Sequence, residues 1–69
     1  MSIDVFKVIG VANRLGAKIP PAWWSEFTIR VIAYIKLGNS MEEAVRITAD
    51  DMTELFKNEN ITNKKGGEQ

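Results

Sequence analysis

Apolar residues return along this chain with the period of a helix in three separate stretches. In the first, from about Ile3 to Leu15, Val5, Phe6, Val8, Ile9, Ala12 and Leu15 fall on one half of a helical wheel, and Lys7 and Arg14 fall on the other. Ser2 stands where an N-cap hydroxyl accepts a first-turn amide, and Gly16 stands where a left-handed C-terminal residue belongs. Gly10 lies inside this helix and weakens it by up to about 1 kcal/mol relative to alanine. Close packing against a neighbouring helix is the expected reason for a glycine there.

Pro20-Pro21 then separates the first stretch from the second. The residue before a proline resists helical angles, whereas Pro21 suits a first helical turn, where its missing amide hydrogen costs nothing. Ile19 and Trp24 stand at the spacing of a hydrophobic staple around that start. The second stretch, Pro21 to Leu37, carries two patterns at once. Phe27, Ile29, Val31, Ala33, Ile35 and Leu37 alternate as a strand would. On a helical wheel, however, Trp23, Trp24, Phe27, Val31, Ile32, Tyr34 and Ile35 cover about half the circle, and Glu26 and Arg30 take the favoured i, i+4 spacing. The proline start and the lack of any partner strand elsewhere decide for a helix.

Gly38-Asn39 ends the second stretch, and Ser40-Met41-Glu42-Glu43 has the form of a capping box opening a third. Met41, Ala44, Val45, Thr48, Ala49, Met52, Leu55 and Phe56 form its apolar stripe, predicting a helix from Met41 to about Lys57. Beyond Asn58 the sequence is polar apart from Ile61, too poor in apolar surface to offset its ordering entropy. The pattern therefore predicts an all-α fold: a small three-helix bundle over residues 1–58 and a disordered C-terminal tail over 59–69. Its core is expected from Val5, Val8, Ile9, Ala12, Leu15, Trp24, Phe27, Val31, Ile35, Val45, Thr48, Met52, Leu55 and Phe56.

Composition narrows the chemistry. Neither cysteine nor histidine occurs among the 69 residues, so disulfides, thiolate metal sites and imidazole bases are all absent. Ser2, Ser25 and Ser40 have no base to activate them. Asp50 and Asp51 are adjacent on a helix and diverge by about 100°, the bearing of a solvated face rather than of a carboxylate pair. Glu43, Asp51 and Glu54 are the nearest approach to a hard-cation cluster. The sequence is read as non-enzymatic, with no cofactor.

Charge is balanced overall but polarised. Residues 1–37 carry a net +3 and residues 38–60 a net −4. This distribution can attract a charged partner or a second copy, but it lacks the basic excess of most nucleic-acid binders. No leader-like segment opens the chain and no apolar run approaches the roughly 18 residues of a membrane span. The expected compartment is the cytoplasm, with no membrane partner.

Apolar residues left over after core building point to a partner surface. Two adjacent tryptophans cannot both face one core, so Trp23 is a rim residue, set either under the Ala17–Pro20 link or against a partner. Ile29 falls on the polar side of the second helix, Trp23 sits at the edge of its stripe with Tyr34 or Ile29 as its companion at a partner contact, and Ile47 falls among Glu43, Asp51 and Glu54 on the third. Trp23, Ile29, Tyr34 and Ile47 are the candidate partner-binding residues, for another protein or for a homodimer. The alternative is a small dimeric DNA-binding regulator that uses the second and third helices as a helix-turn-helix. The long second helix and the acidic opening of the third, Glu42-Glu43, weigh against it.

The order of an apolar first helix, the Ile19-Pro20-Pro21 break, a second helix bearing tryptophan and arginine, and Gly38-Asn39-Ser40-Met41-Glu42-Glu43 opening a third resembles very small three-helix proteins of unknown function from phages and plasmids of Gram-positive bacteria. The resemblance spans residues 3–56 and implies a mobile-element origin, with no activity and no site residues. The run from Gly38 to Ala44 is also similar to the first turn of ubiquitin-associated-type domains, but Asn39 stands where that family has an aromatic residue, and ligand binding does not carry over.

Overall fold

The computed structural model describes residues 4–68, with side chains described from Asp4 to Lys57. Three helices follow in order: α1, Val5–Arg14; α2, Trp24–Lys36, entered through a single 3₁₀ turn at Pro21–Trp23; and α3, Met41–Glu68. Each packs on the other two. The described residues contain no strand, so the alternating pattern in the second stretch folds as helix. The expected tail at 59–69 lies outside the residues whose side chains are described, and so does the expected cap Ser2. The last described α3 residue packed on the core is Phe56.

Local signals account for each helix end. Asp4 caps α1, its carboxylate accepting the amide of Phe6 at 3.0 Å. At the other end Gly16 takes φ +89°, its amide donates to Asn13 O, and the amide of Ala17 donates to Ala12 O. Those two bonds are the paired closure of a Schellman motif. The end of α2 repeats it: Gly38 takes φ +110°, with Gly38 N on Ile35 O and Asn39 N on Tyr34 O. The Asn39 side chain adds a second bond to Tyr34 O at 2.9 Å. Ser40 Oγ then accepts the amide of Glu43 at 3.2 Å and opens α3, as the capping-box spacing predicts.

The core is built from Val8, Ile9 and Ala12 of α1, Phe27 and Val31 of α2, and Ala44, Val45, Thr48 and Met52 of α3, with Ile19 from the link. Thr48 is buried without loss because its hydroxyl donates to Ala44 O at 2.7 Å. Leu15 and Leu55, both expected in the core, are exposed, and Trp24 is half-buried. Leu15 is displaced because it is the C-cap of α1, where the chain turns away toward Gly16.

The adjacent tryptophans hold the three helices together at one end. Trp24 meets Phe6 of α1 edge to face, ring centroids 6.1 Å apart, while its indole Nε1 donates to Ile19 O at 2.9 Å. Trp23 meets Phe56 of α3 in the same manner at 5.7 Å. Their divergence on the chain sends one ring to each neighbouring helix. Arg14 and Glu42 add an exposed ion pair between the end of α1 and the start of α3 at 2.9 Å. Such a pair contributes at most about 1 kcal/mol, although each charge also suits the helix terminus it occupies.

Gly10 corrects an expectation. It is exposed, and a methyl group built on it meets nothing within 4 Å. No packing reason holds a glycine there, and its φ is not positive. Gly10→Ala is therefore expected to stabilise the fold by up to about 1 kcal/mol. In a thermal melt this raises the midpoint by about 4–8 °C. Gly38→Ala is expected to act in the opposite sense, because the left-handed angle at Gly38 costs a residue with a side chain about 1–2 kcal/mol.

Candidate functional site

The sequence candidates do not converge on one place. On α2, Phe27 and Val31 mark the buried direction. Tyr34 lies close to that direction on the side toward α3, and Trp23 lies at the entry of the helix against Phe56. Both are half-buried and pack on the core. Ile29 points the other way, about 160° from Phe27 around a helix of 3.6 residues per turn. It is 63% exposed. Ile47 is half-buried on α3, one turn before Asp51.

Ile29 does not stand alone on its side of α2. The spacing 29, 32, 33, 36, 37 is that of one helix face, and it brings together Ile29, Ile32, Ala33, Lys36 and Leu37. Leu37 is 78% exposed, and Ala33 and Lys36 are exposed with it. Ile29, Ile32, Ala33 and Lys36 line a shallow hollow of about 340 Å³ floored by the small side chain of Ala33. A second shallow groove, of about 320 Å³, lies between α2 and α3 against Arg30, Ala33, Tyr34, Leu37 and Asp51. The two share Ala33, so the apolar strip continues from Ile29 across α2 to the α3 boundary. Single exposed apolar residues are ordinary, whereas a row of them on one helix face is not.

Charged groups frame the strip. Glu26 and Arg30 pair at 2.9 Å one turn apart, as their spacing predicts. On the α3 side Tyr34 donates its phenolic proton to Asp51 Oδ2 at 2.6 Å. Asp51 is thus an acceptor that ties α3 to α2, a role its place on a charged helix face does not reveal. Donation to Asp51 raises the Tyr34 pKa above 10.0, with partial desolvation and the negative charge of Asp51 acting the same way and the positive charge of Arg30 opposing them. A phenol with a raised folded pKa adds stability that is present below the unfolded value and lost as pH rises through the folded one. Wild type is therefore expected to lose stability relative to Tyr34→Phe as pH climbs above 10.0, and to hold a constant difference below it, read from melting temperatures of both proteins across pH.

Among the described residues no three His, Cys, Asp or Glu side chains gather closely enough to hold a metal ion, and Glu43, Asp51 and Glu54 form no such group. Among those residues no helix is long and apolar enough to cross a membrane. The geometry a helix-turn-helix would use presents Glu42 and Glu43 at the start of α3, both exposed, with Glu42 bound to Arg14. No protein-family model, curated protein or solved structure matches the chain.

Sequence reasoning named Ile29 but missed the row it belongs to. The signal was present in the spacing of Ile29, Ile32, Ala33 and Leu37. It was masked because Ile32 also fits the buried half of the wheel, and because Ile29, Ala33 and Leu37 read as part of a strand-like alternation.

Proposed function

We propose that this chain is a non-enzymatic protein-interaction module that docks through the solvent-facing side of α2. The observation that carries the reading is the apolar row of exposed Ile29, Ala33 and Leu37 with half-buried Ile32 at its edge, set away from the buried Phe27 and Val31 of the same helix. A helix with two apolar faces in a bundle that covers one of them is built to meet something on the other. The absence of histidine and cysteine, and of a gathered set of carboxylates among the described residues, supports binding over catalysis.

A photo-crosslinking amino acid placed at position 29 tests the docking face in the cells that express the chain. Position 13, an exposed site on α1, is the control. Crosslinking from position 29 into one product of defined mass, with none from position 13, is the expected result. Equal diffuse crosslinking from both positions, or none from position 29, would overturn the reading.

A further inference from the structure

We infer that the occupant of the α2 face is the same face of a second copy, packed antiparallel, with Glu26 of each copy opposite the partner's Lys36. This inference rests on the docking role proposed above and identifies the partner.

An interface between two identical copies related by a two-fold axis must be self-complementary: if residue i meets residue j, residue j meets residue i. The outer face of α2 satisfies that condition in charge and in shape. Glu26 lies near one end and Lys36 near the other, about 15 Å apart along the helix at 1.5 Å per residue. Turning a second α2 end over end about a point midway between them sets each acid against a lysine, twice. The same operation places Ile29 of each copy opposite Ala33 of the other. Ala33 floors the hollow bounded by Ile29, Ile32 and Lys36, so a large apolar residue meets a gap of matching character on both sides of the axis. Antiparallel alignment also opposes the two helix dipoles.

A parallel arrangement, by contrast, would put Glu26 beside Glu26 and Lys36 beside Lys36. The internal pair does not compete with this register. Arg30 Nε holds Glu26 Oε2, and a carboxylate accepts hydrogen bonds at both of its oxygens. Glu26, Ile29, Ala33, Lys36 and Leu37 are all exposed in the single chain. A second copy offers the same row without any other protein being needed. A small domain of this size also gains by covering apolar surface that its own core cannot reach.

The test measures the mass of the full chain by light scattering from about 10 μM to about 1 mM at low salt. In parallel, the Ile29 and Ile32 methyl groups are exposed to a soluble paramagnetic probe. The expected result is concentration-dependent dimerisation with those methyls shielded in the dimer. Glu26→Lys and Lys36→Glu each set like charges against each other and are expected to weaken association about tenfold, and the double variant is expected to recover it. Circular dichroism checks that each variant is folded. A monomer at every concentration with the methyls open to the probe overturns self-docking and leaves the docking face intact for another protein. A monomer with the methyls shielded overturns both readings, since the face is then covered within the chain. A dimer with open methyls overturns self-docking through this face, since the copies then meet elsewhere, and leaves the face open to another protein. A dimer weakened by each single substitution but not rescued by the pair overturns the antiparallel register.

Discussion

Phe27→Ala is expected to leave the chain without a cooperative fold at room temperature. Phe27 is the largest of the fully buried side chains and sits on α2 between α1 and α3. Truncating a buried phenylalanine costs about 3–5 kcal/mol, through lost transfer energy and the cavity left behind. A domain of this length with no disulfide has only about that much stability in its core. The expected result is a collapsed amide spectrum and a thermal melt without a sigmoid. Phe27→Leu keeps most of the volume and is expected to melt cooperatively at a reduced midpoint. A well-dispersed, cooperatively melting Phe27→Ala protein would mean that the packing centre lies elsewhere.

Trp24→Ala carries the second largest expected effect, about 2–3 kcal/mol, below the range for a fully buried tryptophan because the ring is half-exposed. Two contacts go at once, and an anchor goes with them. The ring leaves Phe6, the Nε1 donor leaves Ile19 O, and the link that carries the buried Ile19 loses its anchor. Trp24→Phe separates these contributions. It keeps an aromatic ring and removes the donor, and its expected cost is about 1 kcal/mol. Denaturant midpoints of the two variants give both numbers. Trp23→Ala is expected to lower stability through the lost contact with Phe56 while leaving association through the outer face of α2 unchanged. This last comparison separates the bundle's end from its docking face.

Much of the fold was readable in the residues because its signals are local. Gly16, Gly38 and Ser40 each act within a few positions of themselves, and each marks a helix end in the structure. The choice of helix over strand for α2 rests on the local effect of the Pro20-Pro21 start together with the lack of a partner strand elsewhere in the sequence. What escaped depends on how the helices lie against one another. A wheel gives the direction of a side chain but not how far the neighbouring helix extends, so Leu15 and Leu55 were counted inward although both are exposed. The bond from Tyr34 to Asp51 and the pair of Arg14 with Glu42 join residues 17 and 28 positions apart, and only helix packing brings them within reach.

Two further differences were within reach of the sequence. Lys7 and Arg14 point outward on α1, and Gly10 lies beside them on the wheel, within about 60° of each, so its open surroundings follow from the same periodicity that placed the core. The candidate site was half legible for a related reason. Trp23 stands out as an aromatic residue at the edge of the stripe and Tyr34 as its companion, and both have partners within the bundle, in Phe56 and Asp51. Ile29, the least conspicuous of the four, marks the uncovered apolar row.

The most direct test of a self-complementary α2 face is the change in backbone amide shifts on dilution, from about 1 mM to about 10 μM. Movement is predicted at Glu26, Ile29, Ile32, Ala33 and Lys36, with Val8, Val45 and the Trp23–Phe56 end still. Shifts that do not change with concentration, or that move at the aromatic end while α2 stays fixed, would contradict it.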